Sequence, residues 1–268
     1  MLVTVTPIAE VVYPESDGKP MADNTKQYEW IVKVAENLRV LFADRPDVFV
    51  AADLLWYPAE GFNQVRAAPD VMVAFGRPKG DRGSYLQWKE GGVAPQVVFE
   101  ILSPGNTHLE MEEKRDWYEE HGVEEYYVFD PDTPNKLRIY AHDGAIFRTK
   151  KPAHGFVSPR LGIRFDLSGP EMVVRHPDGR PFLTMEEIDR LRREAEQRAD
   201  DQQKRADDER QRAIEALLES LEARLEAKFQ QAGLALMPQL RQIRDPDRLT
   251  AILRAVRTAE SVADVPPS

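Results

Sequence analysis

The chain has 268 residues, no cysteine and a net charge of −10 at neutral pH. The lack of cysteine excludes disulfides and thiolate metal sites, and the acidic total argues against non-specific adhesion to nucleic acid or anionic membranes. No apolar run approaches the roughly 18 residues that a membrane span requires, and the amino terminus lacks the pattern of a signal peptide. We therefore expect a soluble, cytoplasmic protein with no membrane partner.

The amino-terminal part of the chain alternates helical and strand patterns. Pro7, Pro14 and the following Pro20 prevent a long helix in Met1–Lys19, which is predicted to be a strand or an extended arm. Apolar residues then recur at helical spacing over Asn24–Phe42, where an asparagine and a threonine can cap the first turn. Two apolar runs, Val48–Tyr57 and Ala67–Phe75, are predicted strands separated by a turn.

A polar loop follows from Gly76 to Gly92, in which four basic residues are interleaved with Tyr85 and Trp88. Basic and aromatic side chains together suit a nucleic-acid strand. The alternative is a solvated loop whose aromatic side chains pack down on the sheet, and it is favoured because surface loops vary freely in composition.

The stretch from Ala94 to Asp132 contains a complete strand, helix and strand. Gln96–Leu102 is a predicted buried strand, Thr107 caps a predicted helix that runs to about His121, and Glu125–Asp130 is the second strand. Such a βαβ unit builds a parallel pair of strands in a covered sheet, so the pattern predicts an α/β fold.

Glu100 interrupts the first strand of that unit. Side chains alternate along a strand, so Val98, Glu100 and Leu102 share one face, and the carboxylate points into a mostly apolar layer. An unpaired charge there would be unfavourable, and this end of the strand lies near the sheet edge where α/β proteins usually bind ligands. A metal or substrate partner is therefore predicted for Glu100.

A second acid, Asp70, follows a proline at the head of the preceding strand. Two carboxylates on neighbouring strands can share a divalent cation, and an all-acid site favours Mg²⁺ or Mn²⁺ over zinc. If Lys114 reaches the same site from the helix, the three residues suit phosphodiester hydrolysis. The alternatives are an Asp70 that only ends a turn and a Lys114 that only pairs with Glu110 on the helix surface.

Four other polar residues have simpler explanations. Asp53 is interpreted as structural, because the apolar residues that follow it account for its strand. Gln27, Glu29 and Lys89 are possible contributors to a site, but each is better explained as an ordinary helix or loop side chain.

The chain changes character after Leu183. Met185–Gln231 is predicted to be one long charged helix, in which alanines and leucines repeat at coiled-coil spacing and favour self-association. A single solvated helix is the alternative. A short helical hairpin is predicted to follow Gly233. The predicted domains are residues 1–183, 184–232 and 233–268.

Three blocks of sequence resemble a known family: APDVMVAFG, VVFEILSP and EEKRDWYEEHGVEEYYVFDP. Over roughly Asp23–Asp132 the chain is similar to the Uma-type family of restriction endonucleases, within the PD-(D/E)xK nuclease superfamily. The resemblance implies a restriction-endonuclease-like core, a mixed sheet with flanking helices, and metal ligands at Asp70 and Glu100. Gln27 occupies a first-helix position where members of the family often carry histidine or glutamine.

One departure from the superfamily pattern concerns the lysine. The pattern places it two residues after the second acid, where this chain has Leu102. The role of the lysine would then pass to Lys114.

The leading prediction is a metal-dependent endonuclease that hydrolyses DNA. Its catalytic residues would be Asp70, Glu100 and Lys114, with Mg²⁺ or Mn²⁺ held by the two acids. One alternative is a catalytically inactive DNA-binding or assembly module that keeps the fold and oligomerises through its coiled coil. A scaffold that binds neither metal nor DNA is the third possibility.

Overall fold

Residues 11–133, 136–144 and 146–265 are described in the computed structural model of the chain. They form two compact units, which divide after Ile188. The strand or arm predicted at residues 1–19 lies partly outside the described residues. Its described part, from Val11 onwards, contains no strand, and Tyr57 contacts it by donating its hydroxyl proton to the carbonyl oxygen of Pro14 at 2.8 Å.

The first unit is a mixed α/β structure, as predicted. Its elements, in chain order, are α1 (Thr25–Leu41), β1 (Val48–Ala52), β2 (Trp56–Tyr57), β3 (Val71–Phe75), β4 (Tyr85–Leu86), β5 (Val97–Ile101), α2 (His108–Glu120), β6 (Glu125–Asp130), β7 (Lys136–His142), β8 (Phe147–Thr149), β9 (Arg164–Asp166) and β10 (Val173–Arg175). Six strands form one sheet in the order β1-β3-β5-β6-β7-β8. Only β5 and β6 are parallel in that sheet; its other neighbouring strands are antiparallel.

The central βαβ unit is confirmed. Thr107 caps α2 with a full capping box, in which its side chain accepts from the amide of Glu110 while the Glu110 carboxylate accepts from the Thr107 amide. The helix ends before Gly122, whose φ of +93° is a backbone conformation that glycine adopts readily. Because β5 and β6 are parallel, both of their carboxyl ends lie at the same edge of the sheet.

Helices cover both faces of this sheet. On one face α1 packs through Ile31 and Leu38, and β9 and β10 add further apolar side chains to the same layer. On the other face α2 packs through Met111 and Tyr118. The sheet is thereby buried on both sides, which is why its central strands are almost continuously apolar.

The single strand predicted at residues 48–57 is wrong, because the chain leaves the sheet at Asp53. The backbone there has a φ of +49°, in the left-handed region that residues other than glycine rarely adopt. β1 therefore ends at Ala52, one residue before Asp53, and β2 pairs with β4 as a separate pair of parallel strands. The strand predicted at residues 67–75 also begins later than expected, because Ala67 is bridged to Trp56.

The polar loop at residues 76–92 agrees mostly with the second interpretation, a solvated loop whose aromatic side chains pack on the sheet. Tyr85 is fully buried, and its hydroxyl donates to the carbonyl oxygen of Val93 at 2.8 Å. Arg82 pairs with Glu90 at 2.6 Å, so this base is already neutralised within the loop. The loop also contains β4, which the sequence pattern did not predict.

The second unit is helical and contains most of α3 (Met185–Leu234), together with α4 (Met237–Leu240) and α5 (Pro246–Thr258). The long charged helix is therefore present, although its backbone departs from helical geometry at Gln230, where φ is +51°. The predicted helical hairpin is also present, and Asp245 caps α5. Within the described ranges, no helix is long and apolar enough to cross a membrane.

The leucines of the predicted coiled-coil repeat are covered by the chain itself. Leu221 and Leu225 have no exposed surface and share a core with Leu249 and Ile252 of α5. These leucines therefore have apolar partners within the chain itself. The alanines of the same repeat, earlier in α3, are exposed, and self-association through α3 stays a prediction.

Candidate active site

Asp70 and Glu100 are brought opposite one another by strand pairing. β3 and β5 are antiparallel, with Val71 opposite Phe99. Continuing this register by one residue places Asp70 opposite Glu100. The amide of Ile101 donates to Oδ2 of Asp70 at 2.6 Å, so the backbone of β5 directly holds the side chain that precedes β3.

Both carboxylate oxygens of Glu100 accept a hydrogen bond from α2. Nζ of Lys114 lies 2.8 Å from Oε2, and the hydroxyl of Tyr118 donates to Oε1 at 2.6 Å. Glu100 is 3% exposed and Tyr118 is fully buried. The helix that covers the sheet therefore compensates the buried charge, as a buried carboxylate requires.

Lys114 remains protonated in this site. Burial is the largest single effect and acts to lower the pKa of its ammonium. The charge and hydrogen bond of Glu100, with the charges of Asp70 and Glu110, together outweigh burial, and the pKa is raised above its ordinary value. A lysine with a raised pKa is a poor general base at neutral pH. Its useful property here is a fixed positive charge beside the two acids.

For Asp70, by contrast, the surroundings disfavour the charged form of the side chain. Burial and then the charge of Glu100 raise its pKa well above the ordinary value, although the amide of Ile101 and the charge of Lys114 act in the other direction. One lysine therefore does not fully balance two adjacent carboxylates. The site favours an additional positive charge.

Asp70, Lys114 and Tyr118 line one cavity of about 900 Å³, whereas the buried Glu100 is not part of its wall. Its charged lining side chains are Asp17, Lys19, Asp23, Asp53, Arg66, Asp70, Glu110, Glu113 and Lys114. Six acids and three bases make this wall predominantly negative. Such a surface attracts cations and repels an unaccompanied nucleic-acid backbone.

The donor chemistry of the site suits a hard divalent cation. Mg²⁺ is commonly held by one or two carboxylates and keeps several water ligands. No group of three or more histidine, aspartate or glutamate side chains placed to hold a metal ion occurs in the part of the chain that the structure describes. Asp70 and Glu100 would therefore be the protein ligands, and water or substrate oxygens would complete the coordination.

Three weaker candidates from the sequence have different locations. Gln27 is buried at the same cavity, where its amide donates to the carbonyl oxygen of Ile101 at 2.8 Å and links α1 to the end of β5. Glu29 lines a different groove, beside Val40 and Met185. Lys89 is exposed in the loop and is not part of the cavity wall.

Three further residues line the cavity. Tyr118 and Arg66 are not among the site residues that the sequence predicts, and Asp53 is interpreted from the sequence as structural. Burial and the charge of Asp17 raise the pKa of Asp53. A tyrosine four residues after Lys114 lies on the same helix face, and this spacing is the one signal that pointed to Tyr118.

Comparisons with known proteins identify the family of the chain. The family model described as "Uma2: Putative restriction endonuclease" matches residues 17–155, a range that contains Asp70, Glu100 and Lys114. None of the curated proteins matches the chain. Among solved structures, the chain is similar to "a putative nuclease belonging to DUF820 from Anabaena variabilis ATCC 29413", with a TM-score of 0.42 and 17% identity over 55% of this chain and 82% of that chain.

Proposed function

The chain belongs to the Uma2 restriction endonuclease family, and on this premise we propose that it is a metal-dependent nuclease that hydrolyses phosphodiester bonds in DNA. One observation carries the proposal: Lys114 and Asp70 lie on the wall of an open cavity, and Lys114 contacts the buried carboxylate of Glu100. Two hard acids and a fixed cation are the groups that metal-assisted phosphodiester hydrolysis uses.

Each side chain of the site has a definable task. Asp70 and Glu100 would hold Mg²⁺ or Mn²⁺, which when bound activates water and polarises the phosphodiester. Lys114 places its ammonium where negative charge develops on the phosphoryl oxygens. Tyr118 fixes the orientation of the Glu100 carboxylate, and the amide of Ile101 does the same for Asp70.

The direct test is cleavage of supercoiled plasmid DNA, with an RNA of matching sequence as the second substrate. We expect cleavage of DNA in Mg²⁺ or Mn²⁺ and none in EDTA. Asp70→Asn and Glu100→Gln should abolish it while circular dichroism shows an unchanged fold. Glu112→Gln is the matched control, because Glu112 is a half-exposed acid on α2 and does not line the cavity.

Two results would contradict the proposal. The first is equal cleavage by the wild type and Glu100→Gln, which would place the activity elsewhere. The second is an absence of cleavage with every metal, and metal-independent DNA binding in that case would support an inactive binding module instead. Preferential cleavage of RNA would correct the substrate and leave the site in place.

A further inference from the structure

Arg66 lines the acidic cavity but pairs with none of its acids. Within the described residues it makes no ion pair, and its guanidinium has two hydrogen bonds, both long: 3.4 Å to the hydroxyl of Tyr57 and 3.5 Å to the carbonyl oxygen of Asn63. A guanidinium carries five donors, so most of the hydrogen-bonding capacity of Arg66 is unused.

The backbone places Arg66 on the same wall as Asp70. Ala67 exchanges two hydrogen bonds with Trp56, at 2.8 and 3.1 Å, which anchors the chain next to Arg66. Residues 66–70 then run directly to Asp70, and both alanines between them also line the cavity. Arg66, Ala67, Ala68 and Asp70 therefore all belong to the wall of the same cavity.

The other two bases of the cavity are differently engaged. Lys114 is held by Glu100 at 2.8 Å, and Lys19 lies in an exposed segment. Arg66 is therefore the partly buried base whose donors remain available to an anion from solution. An arginine presents its donors as a planar fork that matches two oxygens of a phosphate, and such charge-assisted bonds are strong.

We propose that Arg66 binds a non-reacting phosphate of the nucleic-acid backbone and so positions the strand for cleavage beside Asp70. This inference rests on the proposed nuclease function and names the part of the substrate that this wall recognises. It also explains how a predominantly acidic cavity accepts a polyanion: a bound divalent cation and Arg66 contact neighbouring parts of the same backbone. Arg66 is a substrate-binding residue and takes no part in proton transfer.

The test is binding of a fluorescein-labelled duplex oligonucleotide, followed by fluorescence anisotropy with Ca²⁺ in place of Mg²⁺, over a series of NaCl concentrations. We expect Arg66→Gln to weaken binding about tenfold or more and to lower the salt dependence by about one phosphate contact. Arg66→Lys should keep the salt dependence but lose part of the affinity, because a lysine makes no bidentate contact. In Mg²⁺, Arg66→Gln should raise KM far more than it lowers kcat.

Arg164→Gln is the matched control, because Arg164 is an exposed arginine on β9 and lies outside the cavity wall. It removes the same charge and should bind DNA as the wild type does. Thermal melts of all variants detect a purely structural role, in which Arg66→Gln would lower the melting temperature. If Arg66→Gln has a lower melting temperature, the DNA affinity of Arg66→Lys, which keeps the charge, tests the proposal instead.

The proposal is overturned if Arg66→Gln binds DNA with the affinity and salt dependence of Arg164→Gln while the wild type binds and cleaves DNA. If Arg66→Gln is destabilised, the same result for Arg66→Lys overturns it. A wild type that neither binds nor cleaves DNA with any metal would overturn the nuclease function, and this inference with it. The two failures are therefore distinguishable.

Discussion

Nζ of Lys114 lies 2.8 Å from Oε2 of Glu100, so the helix that follows the strand supplies the positive charge of this site. In the superfamily pattern the lysine follows the second acid by two residues, where Leu102 instead packs in the apolar layer under α2.

We expect Lys114→Ala to lower the rate of DNA cleavage by on the order of a hundredfold or more, the usual effect of removing one donor that stabilises a transition state. Metal affinity should change little, because Lys114 is a cation and cannot be a ligand. Single-turnover kinetics at saturating metal measure the rate.

Lys89→Ala is the control for this change. Lys89 is exposed outside the cavity wall, so its removal should leave the rate close to that of the wild type. Near-normal cleavage by Lys114→Ala together with a collapse in Lys89→Ala would move the cationic role to the loop.

Tyr118→Phe should lower the free energy of unfolding by about 1.5–3 kcal/mol, the range for a hydrogen bond to a charged group. The change removes the donor to Oε1 of Glu100 and keeps the packing of the ring. Urea denaturation measures the difference. Cleavage should also slow, because the carboxylate loses one of its two restraints.

Tyr126→Phe provides a matched comparison. The hydroxyl of Tyr126 is buried and has no hydrogen-bond partner among the described residues. Its removal should leave stability unchanged or raise it, because an unsatisfied buried hydroxyl is unfavourable. Equal losses in Tyr118→Phe and Tyr126→Phe would mean that the bond to Glu100 contributes nothing specific.

The raised pKa of Asp70 predicts how stability depends on pH when no metal is bound. A carboxyl whose pKa is higher in the folded state binds its proton more tightly there, so its contribution to stability is lost as pH rises from its unfolded value, about 4, through the raised value. Asp70→Asn removes this titration. In EDTA, the wild type should therefore lose stability relative to Asp70→Asn as pH rises towards neutrality.

Urea denaturation at intervals between about pH 5 and pH 8 measures this difference. Parallel stability curves for the two proteins would show that Asp70 titrates normally in the metal-free fold. Addition of Mn²⁺ should make the wild type more stable than Asp70→Asn, because only the wild type keeps both carboxylate ligands.

The sequence predicted the principal acids and the lysine because each stands in a strong local pattern. Glu100 interrupts an apolar strand, Asp70 follows a proline at a strand head, and Lys114 shares a helix face with apolar residues. The bond of Tyr118 to Glu100 was not predictable in the same way, since it depends on how closely α2 approaches β5. The left-handed backbone of Asp53 gave no signal either, because apolar residues on both sides imitate one continuous strand.

The sequence pattern also could not identify what covers the leucines of α3, for a related reason. A heptad-like repeat shows that one face of α3 is buried, but it does not show whether the covering helix belongs to another molecule or to the same chain. In this protein α5 covers Leu221 and Leu225. Among the described residues of α3, the exposed large apolar side chains lie in its first part and are Met185, Ile188 and Leu191.

We therefore expect any self-association through α3 to depend on that first part. Light scattering at micromolar concentration should give a dimeric mass for the full-length protein and a monomeric mass for the double variant Ile188→Ser, Leu191→Ser. Leu217→Ser is a poorer target, because Leu217 packs against the core shared with α5. A monomeric mass for the wild type would contradict the expectation.

The most direct measurement of the central claim is a calorimetric titration of Mn²⁺ into the wild type, Glu100→Gln and Glu112→Gln. If Asp70 and Glu100 hold the metal, the wild type and Glu112→Gln should bind Mn²⁺ equally, and Glu100→Gln should bind it more weakly by on the order of a hundredfold. Equal affinity in all three proteins would show that the metal, if it binds, does not use Glu100, and would contradict the account.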